Sequence, residues 1–210
     1  MEFQLRRLLS EKPMLLSLIE KAIINGYEHA ESIAINIGNI PMCRSRMGYM
    51  RLPLIEATIQ RTIEEANIDG VTVRMAYNNN RSAVHLEIET SYCILMFASV
   101  RHNGDVPGKA KYRQKYIDQC FMAEVYPEYE PFTEFCKPLY IITHAPSRVS
   151  AACPELTIGR LSVDQSYWSC RYSFSQLQLE SRTIENVTPN ENTTIHENIA
   201  KMATLRLKQS

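Results

Sequence analysis

Three consecutive strand patterns in the middle of the chain constrain its fold most. The segments "VTVRMAY" (71–77) and "SAVHLEIE" (82–89) alternate polar and apolar residues, and "NNNR" between them is typical of a hairpin loop. The run "YCILMFASV" (92–100) follows directly and is apolar on both faces, as expected of a central strand. This order predicts a sheet that is built on a hairpin and has the apolar run in its interior.

The chain after this region predicts a helix and further strands. "KYRQKYIDQCFMAEV" (111–125) is expected to turn helical, while 138–145 and 155–163 are strand candidates. Residues 167–179 fit a strand, or a strand followed by a helical turn.

The N-terminal third predicts helices. Apolar residues at helical spacing indicate a helix over 14–34, although Gly26 weakens its middle and leaves two shorter helices as the alternative. Residues 36–50 have the character of a loop. A second helix is expected to open at Pro53 and to end at "DG" (69–70).

Together these patterns predict an α+β fold. Its mainly antiparallel central sheet, over about 71–101 and 138–163, packs with N-terminal helices and a C-terminal helix. The last of these helices is indicated by a Thr194/Glu197 capping box. We expect a single globular domain over 1–210, with a helical part (1–68), a sheet core (71–179) and a polar linker plus terminal helix (180–210).

Bulk composition excludes several function classes. Twenty-three basic residues balance twenty-three acidic ones, so only a local patch could attract nucleic acid or an acidic surface. The N-terminus lacks a signal-peptide layout, and the longest apolar run is too short to span a bilayer. Six scattered cysteines without a C-x-x-C pair fit reduced thiols. We therefore expect a cytoplasmic protein with no membrane association.

A basic segment at 101–116 is the candidate binding surface. Gly104 and Gly108 would let backbone approach a phosphate, and interleaved tyrosines could stack on bases. The alternative is a solvated helix face, or one neutralised by the acidic stretch 124–135. The predicted binding residues are Arg101, Lys109, Lys111, Tyr112, Arg113 and Lys115.

The hairpin suggests a metal site as an alternative. If Val71, Val73 and Met75 lie opposite Ile88, Leu86 and Val84, then Thr72, Arg74, His85, Glu87 and Glu89 share the other face. There His85, Glu87 and Glu89 could hold a hard divalent ion, Mg²⁺ or Mn²⁺. Alternatively, Arg74 stands opposite His85 and close to Glu87, as a charge pair on a solvated face.

Residues 50–120 carry a resemblance in the order of their elements. The predicted order of a helix, three strands, a basic segment and a further strand resembles the αβββαβ core of restriction-endonuclease-like nucleases. Such enzymes usually place an acid on one strand and an acid-x-Lys triplet on the next, whereas "ETS" and "EIE" supply no lysine here. The resemblance implies a catalytic set of Glu87 and Glu89 with Asp69 or Glu56.

We expect a non-catalytic binding or regulatory protein, an antitoxin- or defence-system-like partner that acts through the basic segment. This follows from the lack of a nucleophile motif, a dinucleotide fingerprint or metal-spaced Cys/His residues. A protein is the expected partner, nucleic acid is a further candidate, and the C-terminal helix is a candidate homo-oligomer contact. No cofactor is expected; the alternative is a nuclease dependent on Mg²⁺ or Mn²⁺.

Overall fold

The computed structural model describes residues 2–36, 41–78, 83–126, 136–146 and 154–177. The chain forms two compact units, Met1–Phe174 and Ser175–Ser210. Of the second unit the structure describes 175–177, which are helical. The predicted polar linker, the Thr194/Glu197 capping box and the terminal helix lie outside the described residues, and the single-domain organisation stays a prediction.

A six-stranded sheet forms the centre of the first unit, and its strands lie side by side in chain order. The strands are β1 (Thr72–Tyr77), β2 (Val84–Glu89), β3 (Ile94–Ser99), β4 (Leu139–Ala145), β5 (Glu155–Leu161) and β6 (Trp168–Ser173). β3 and β4 are parallel, and every other neighbouring pair is antiparallel. The α+β class and the mainly antiparallel sheet are therefore confirmed, and β6 extends the sheet beyond the predicted boundary.

The register of the first hairpin differs from the predicted one by two residues. Val73 pairs with Ile88 and Met75 with Leu86, and Arg74 therefore stands opposite Glu87 rather than His85. The hairpin closes later than predicted, because the Asn78 N–H bonds to the Ala83 carbonyl. A shift of two residues leaves every side chain on the same face, so the predicted composition of the two faces is correct.

Four helices surround this sheet in the described ranges: α1 (Phe3–Glu11), α2 (Pro13–Asn36), α3 (Pro41–Ala66) and α4 (Lys111–Val125). α1 was not predicted as a separate element. α2 continues through Gly26, so the two-helix alternative is wrong. The prediction of a loop over 36–50 is wrong from Pro41 onward, and Pro53 lies inside α3 instead of opening it. None of the helices in these ranges is long and apolar enough to cross a membrane.

The helices cover opposite faces of the sheet. Tyr27 of α2 and Glu56 of α3 contact the face that carries Leu86 and His144. α4 connects the parallel strands across the other face, where Ile117 packs with Ala98, Ile141 and further apolar residues of β3, β4 and β5. α4 therefore covers the polar face of the hairpin, which was expected to be solvated.

Candidate functional site

Glu87 is the centre of a polar cluster between β2 and α4. Its side chain is 2 % exposed and accepts hydrogen bonds from Arg74 Nε (2.7 Å), His85 Nε2 (2.9 Å) and the Tyr116 hydroxyl (3.0 Å to each oxygen). Burial alone would raise the pKa of Glu87, but these donors outweigh it, and its pKa lies below the usual value. Glu87 is thus an ionised carboxylate whose two oxygens are already occupied.

The other acids of the metal-ion alternative do not converge on Glu87. Glu89 is half-exposed and pairs with Lys137 Nζ at 2.7 Å, with Arg74 Nη1 at 3.8 Å. Asp69 is exposed in the turn before β1, where its backbone carbonyl accepts from Lys12. Within the described ranges, no group of three or more His, Cys, Asp or Glu side chains is placed to hold a metal ion. The geometry therefore gives no support to the His85, Glu87 and Glu89 site.

Glu56 lies on α3, beside the position where β2 and β3 separate. The two strands pair only between Glu87–Glu89 and Ile94–Met96, and the Glu56 carboxyl accepts the Leu86 N–H at 3.3 Å. Burial raises the pKa of Glu56 to about 7, while this hydrogen bond and the nearby His85 act in the opposite direction. Glu56 stabilises the separated end of β2.

The basic segment is attached to the sheet by its backbone and polar side chains. Asn103 Oδ1 accepts from Thr157 Oγ1 at 2.7 Å, and the Gly104 carbonyl accepts from Trp168 Nε1 and Arg171 Nη1 at 3.1 and 3.0 Å. Gln165 bonds both backbone groups of Ala110 at 3.0 Å. The loop before α4 therefore has a defined position against β5 and β6.

The predicted binding residues divide into outward-facing and inward-facing sets. Arg101, Lys109, Lys111 and Lys115 are exposed, and Tyr112 is half-buried. Lys109 lies 4.0 Å from the exposed Asp164, whereas the other three exposed cations have no ion pair with a described residue. Tyr112 and Tyr116 both make contacts within the protein. The Tyr112 ring stacks on His85 with ring centroids 3.9 Å apart, and the Tyr116 hydroxyl donates a hydrogen bond to Glu87.

Arg113 is a buried cation in the first turn of α4. It is 5 % exposed, and its Nε donates to the Tyr112 hydroxyl at 3.3 Å. Among the described residues, Nη1 has no hydrogen-bond partner and no carboxylate pairs with this guanidinium. Arginine stays protonated in proteins, so Arg113 carries its charge into the interior without a described counter-charge.

On the sheet face that α4 covers, two further buried polar atoms have no partner among the described residues. α4 runs back along β3 and β4, and Arg113 precedes Ile117 by one turn, so it lies over the carboxyl ends of these strands. Thr143, 1 % exposed, pairs there with Ala98 and Thr157, and its Oγ1 has no partner in the described part of the chain. His85 Nδ1 also has no partner among the described residues, while Nε2 bonds Glu87. We call Arg113, Thr143 and His85 the α4 site.

The opposite face carries a second polar group at the same end of β4. The Tyr27 hydroxyl contacts His144 Nδ1 at 2.9 Å, and the Arg51 guanidinium lies 4.9 Å from the Tyr27 ring centroid. Burial, together with the Arg51 charge, lowers the pKa of His144 to about 4. His144 is therefore neutral and accepts from Tyr27. Its Nε2 has no hydrogen-bond partner among the described residues.

A small cavity of about 70 Å³ lies near the other end of α4, and Cys120, Glu124 and Arg160 line part of it. It contains none of the predicted binding residues. Its volume suits a few water molecules, not a larger ligand.

Sequence patterns located part of the α4 site and missed the rest. Arg113, Tyr112 and His85 were all singled out, but from two separate segments, and the register alone could not show that α4 lies over β2. Thr143 was missed. The available signal was a threonine and a histidine inside the otherwise apolar strand "LYIITHA", where a buried polar side chain needs a partner.

Comparison with known proteins adds no assignment. No protein-family model matches the chain, and no curated protein or solved structure matches it. Its function must therefore be inferred from its own side chains.

Proposed function

We propose that this chain is a non-catalytic binding protein that recognises an acidic protein partner through the first turn of α4 and the preceding loop. The observation that supports this most is Arg113, a buried guanidinium without a described carboxylate. An uncompensated buried charge is costly, and a carboxylate from a partner would offset that cost.

The exposed cations around Arg113 suit the same partner. Lys109, Lys111 and Lys115 surround the start of α4 and would attract an acidic surface before contact. Recognition would then combine steering by the lysines with one specific ion pair at Arg113.

The tyrosines favour a protein over nucleic acid as the partner. Binding of unpaired bases relies on aromatic rings that are free to stack, but Tyr112 covers His85 and Tyr116 bonds Glu87.

A cytoplasmic regulatory role of antitoxin or defence-system type belongs to the same proposal and rests on the absence of catalytic motifs from the sequence.

Charge variants test this proposal with poly-L-glutamate as the acidic probe. Replacing Lys109, Lys111 and Lys115 with glutamine should weaken binding at least about tenfold and reduce its salt dependence, since the steering charges are lost. The matched control replaces Arg6, Lys21 and Arg61, which are exposed on α1, α2 and α3, and should leave the affinity nearly unchanged.

Three results would contradict the proposal. If the control triple loses as much affinity as the lysine triple, binding depends on total charge and not on α4. If duplex DNA binds more tightly than poly-L-glutamate, the partner is nucleic acid. DNA cleavage in Mg²⁺ or Mn²⁺ that disappears in Glu87→Ala would establish the nuclease alternative.

A further inference from the structure

We infer that Cys120 and Cys136 are a modification site, at which a low-molecular-weight disulfide converts two free thiols into an intramolecular disulfide. The two sulfurs lie 2.9 Å apart, and both cysteines are free. Since a disulfide bond is about 2.05 Å long, the sulfurs need to approach by less than about 1 Å. The inference is independent of the proposed function, because it involves neither Arg113 nor the basic segment.

The crossover between the parallel strands brings these two residues together. Cys120 lies near the end of α4 on its sheet-facing side, and its thiol donates to the Lys137 carbonyl at 3.3 Å. Cys136 comes three residues before β4 begins at Leu139. A disulfide would therefore join the end of α4 to the start of β4, closing the 15 residues from 121 to 135 into a covalent loop.

The surroundings of the two thiols set the order of the reaction. Cys136 is half-buried, whereas Cys120 is buried, so Cys136 meets the oxidant first. Burial and the contact with Cys136 raise the pKa of Cys120 to about 12, so the Cys120 thiol reacts second, once its target is adjacent.

The exchange proceeds in two balanced steps with glutathione disulfide as the oxidant. The Cys136 thiolate attacks one glutathione sulfur, forms a mixed disulfide and releases a glutathione thiolate. Cys120 then loses its proton and attacks the Cys136 sulfur, which releases the second glutathione thiolate. The protein thiols lose two electrons, glutathione disulfide gains them, and the two thiol protons pass to the released glutathiones.

The experiment equilibrates the whole chain in glutathione redox buffers, folded and in urea, and then alkylates free thiols. Trypsin leaves both cysteines in one peptide because 117–135 contain no Lys or Arg, so a cut after Glu124, Glu128 or Glu134 is needed to expose the link by mass spectrometry. The measured quantity is the ratio of the glutathione disulfide concentration to the square of the glutathione concentration at which half of the chain is oxidised. We expect this ratio to be at least about tenfold lower for the folded chain than for the chain in urea, because the fold holds the two thiols together.

Three variants make the result specific. Cys136→Ser and Cys120→Ser should each abolish the linked peptide, whereas Cys170→Ser, which removes another half-buried thiol, should leave it unchanged. The same half-oxidation ratio in folded and unfolded chain would overturn the inference. Accumulation of Cys136 as a single glutathione adduct would overturn it as well.

Discussion

Glu56 shows how one buried carboxyl makes the stability of this chain depend on pH. Its pKa rises from the usual 4.5 to about 7 because α3 holds it away from water beside β2. The unfolded chain releases this proton near pH 4.5 and the folded chain only near pH 7. Folding therefore favours the protonated acid, and the stability that Glu56 contributes at low pH is lost as the pH rises through this window.

Glu56→Gln should remove this loss, because the amide stays neutral and its oxygen can still accept the Leu86 N–H. The free energy of unfolding of the variant minus that of the parent should rise between pH 4.5 and pH 7 by roughly 3 kcal/mol, at about 1.4 kcal/mol per pKa unit. Urea titrations at several pH values measure it, with the exposed Glu65→Gln on the same helix as control. A difference that is constant with pH would show that Glu56 is ionised in the folded chain.

The free energy of unfolding is compared between variant and parent because His144 changes the stability of both chains with pH in the opposite direction. Its pKa is lowered to about 4 by burial, so the unfolded chain binds its proton more readily between pH 4 and 6.5, and stability rises with pH over that range. Both chains contain His144, and its contribution cancels in the comparison.

Among the described helices, α2 and α3 make the most extensive contact, and Gly26 lies within it. A Cβ atom at Gly26 would lie 2.8 Å from Ile55 Cγ1 and 2.9 Å from Ile55 Cα. The second of these atoms belongs to the backbone of α3, which cannot move away as a side chain can. The glycine that weakened the sequence pattern of α2 is therefore the residue that lets the two helices approach.

Gly26→Val should consequently destabilise the chain. Overpacking at such a contact costs about 1–3 kcal/mol, which lowers Tm by about 2–4 °C per kcal/mol in a chain of this length. Gly108→Val is the matched control, because a Cβ at Gly108 meets nothing within 4 Å. Equal melting temperatures for the parent and Gly26→Val would mean that α3 does not approach α2 at this residue.

Local periodicity predicted the strands well and the helix boundaries less well. Alternation over 71–77 and 82–89 fixed which side chains share a face, and that result survived an error of two residues in register because the strand repeat is two. Pro53 was interpreted as a helix start because proline favours the first turn, yet the backbone of α3 is helical from Pro41. Tertiary packing can override such weak local preferences.

At the scale of the molecule, the position of α4 decides what the polar residues can do. A helix over the polar face of the hairpin converts a predicted solvated charge pair into a network around the buried Glu87, and it buries Arg113. No local pattern contains this information, because α4 and β2 are separated along the chain and meet only when the crossover packs on the sheet. This is why the sequence patterns singled out Arg113 and His85 in separate segments without joining them, and missed Thr143.

A buried cation kept for a partner should cost the unbound protein stability. Replacing Arg113 with methionine removes the charge and retains much of the side-chain volume. Such replacements of buried charges by apolar residues are often neutral or stabilising when no internal partner is lost. An arginine paired within its own protein behaves in the opposite way, since removal of one partner leaves the other charge buried and unpaired.

The most direct test therefore measures Arg113→Met twice, by thermal melting of the free chain and by its affinity for poly-L-glutamate. We predict a Tm equal to or above that of the parent, together with a loss of affinity of at least about tenfold. A loss of this size corresponds to the removal of one charged hydrogen bond. A Tm lowered by several degrees with unchanged affinity would contradict the proposed role, because it would show that Arg113 is neutralised within the chain itself.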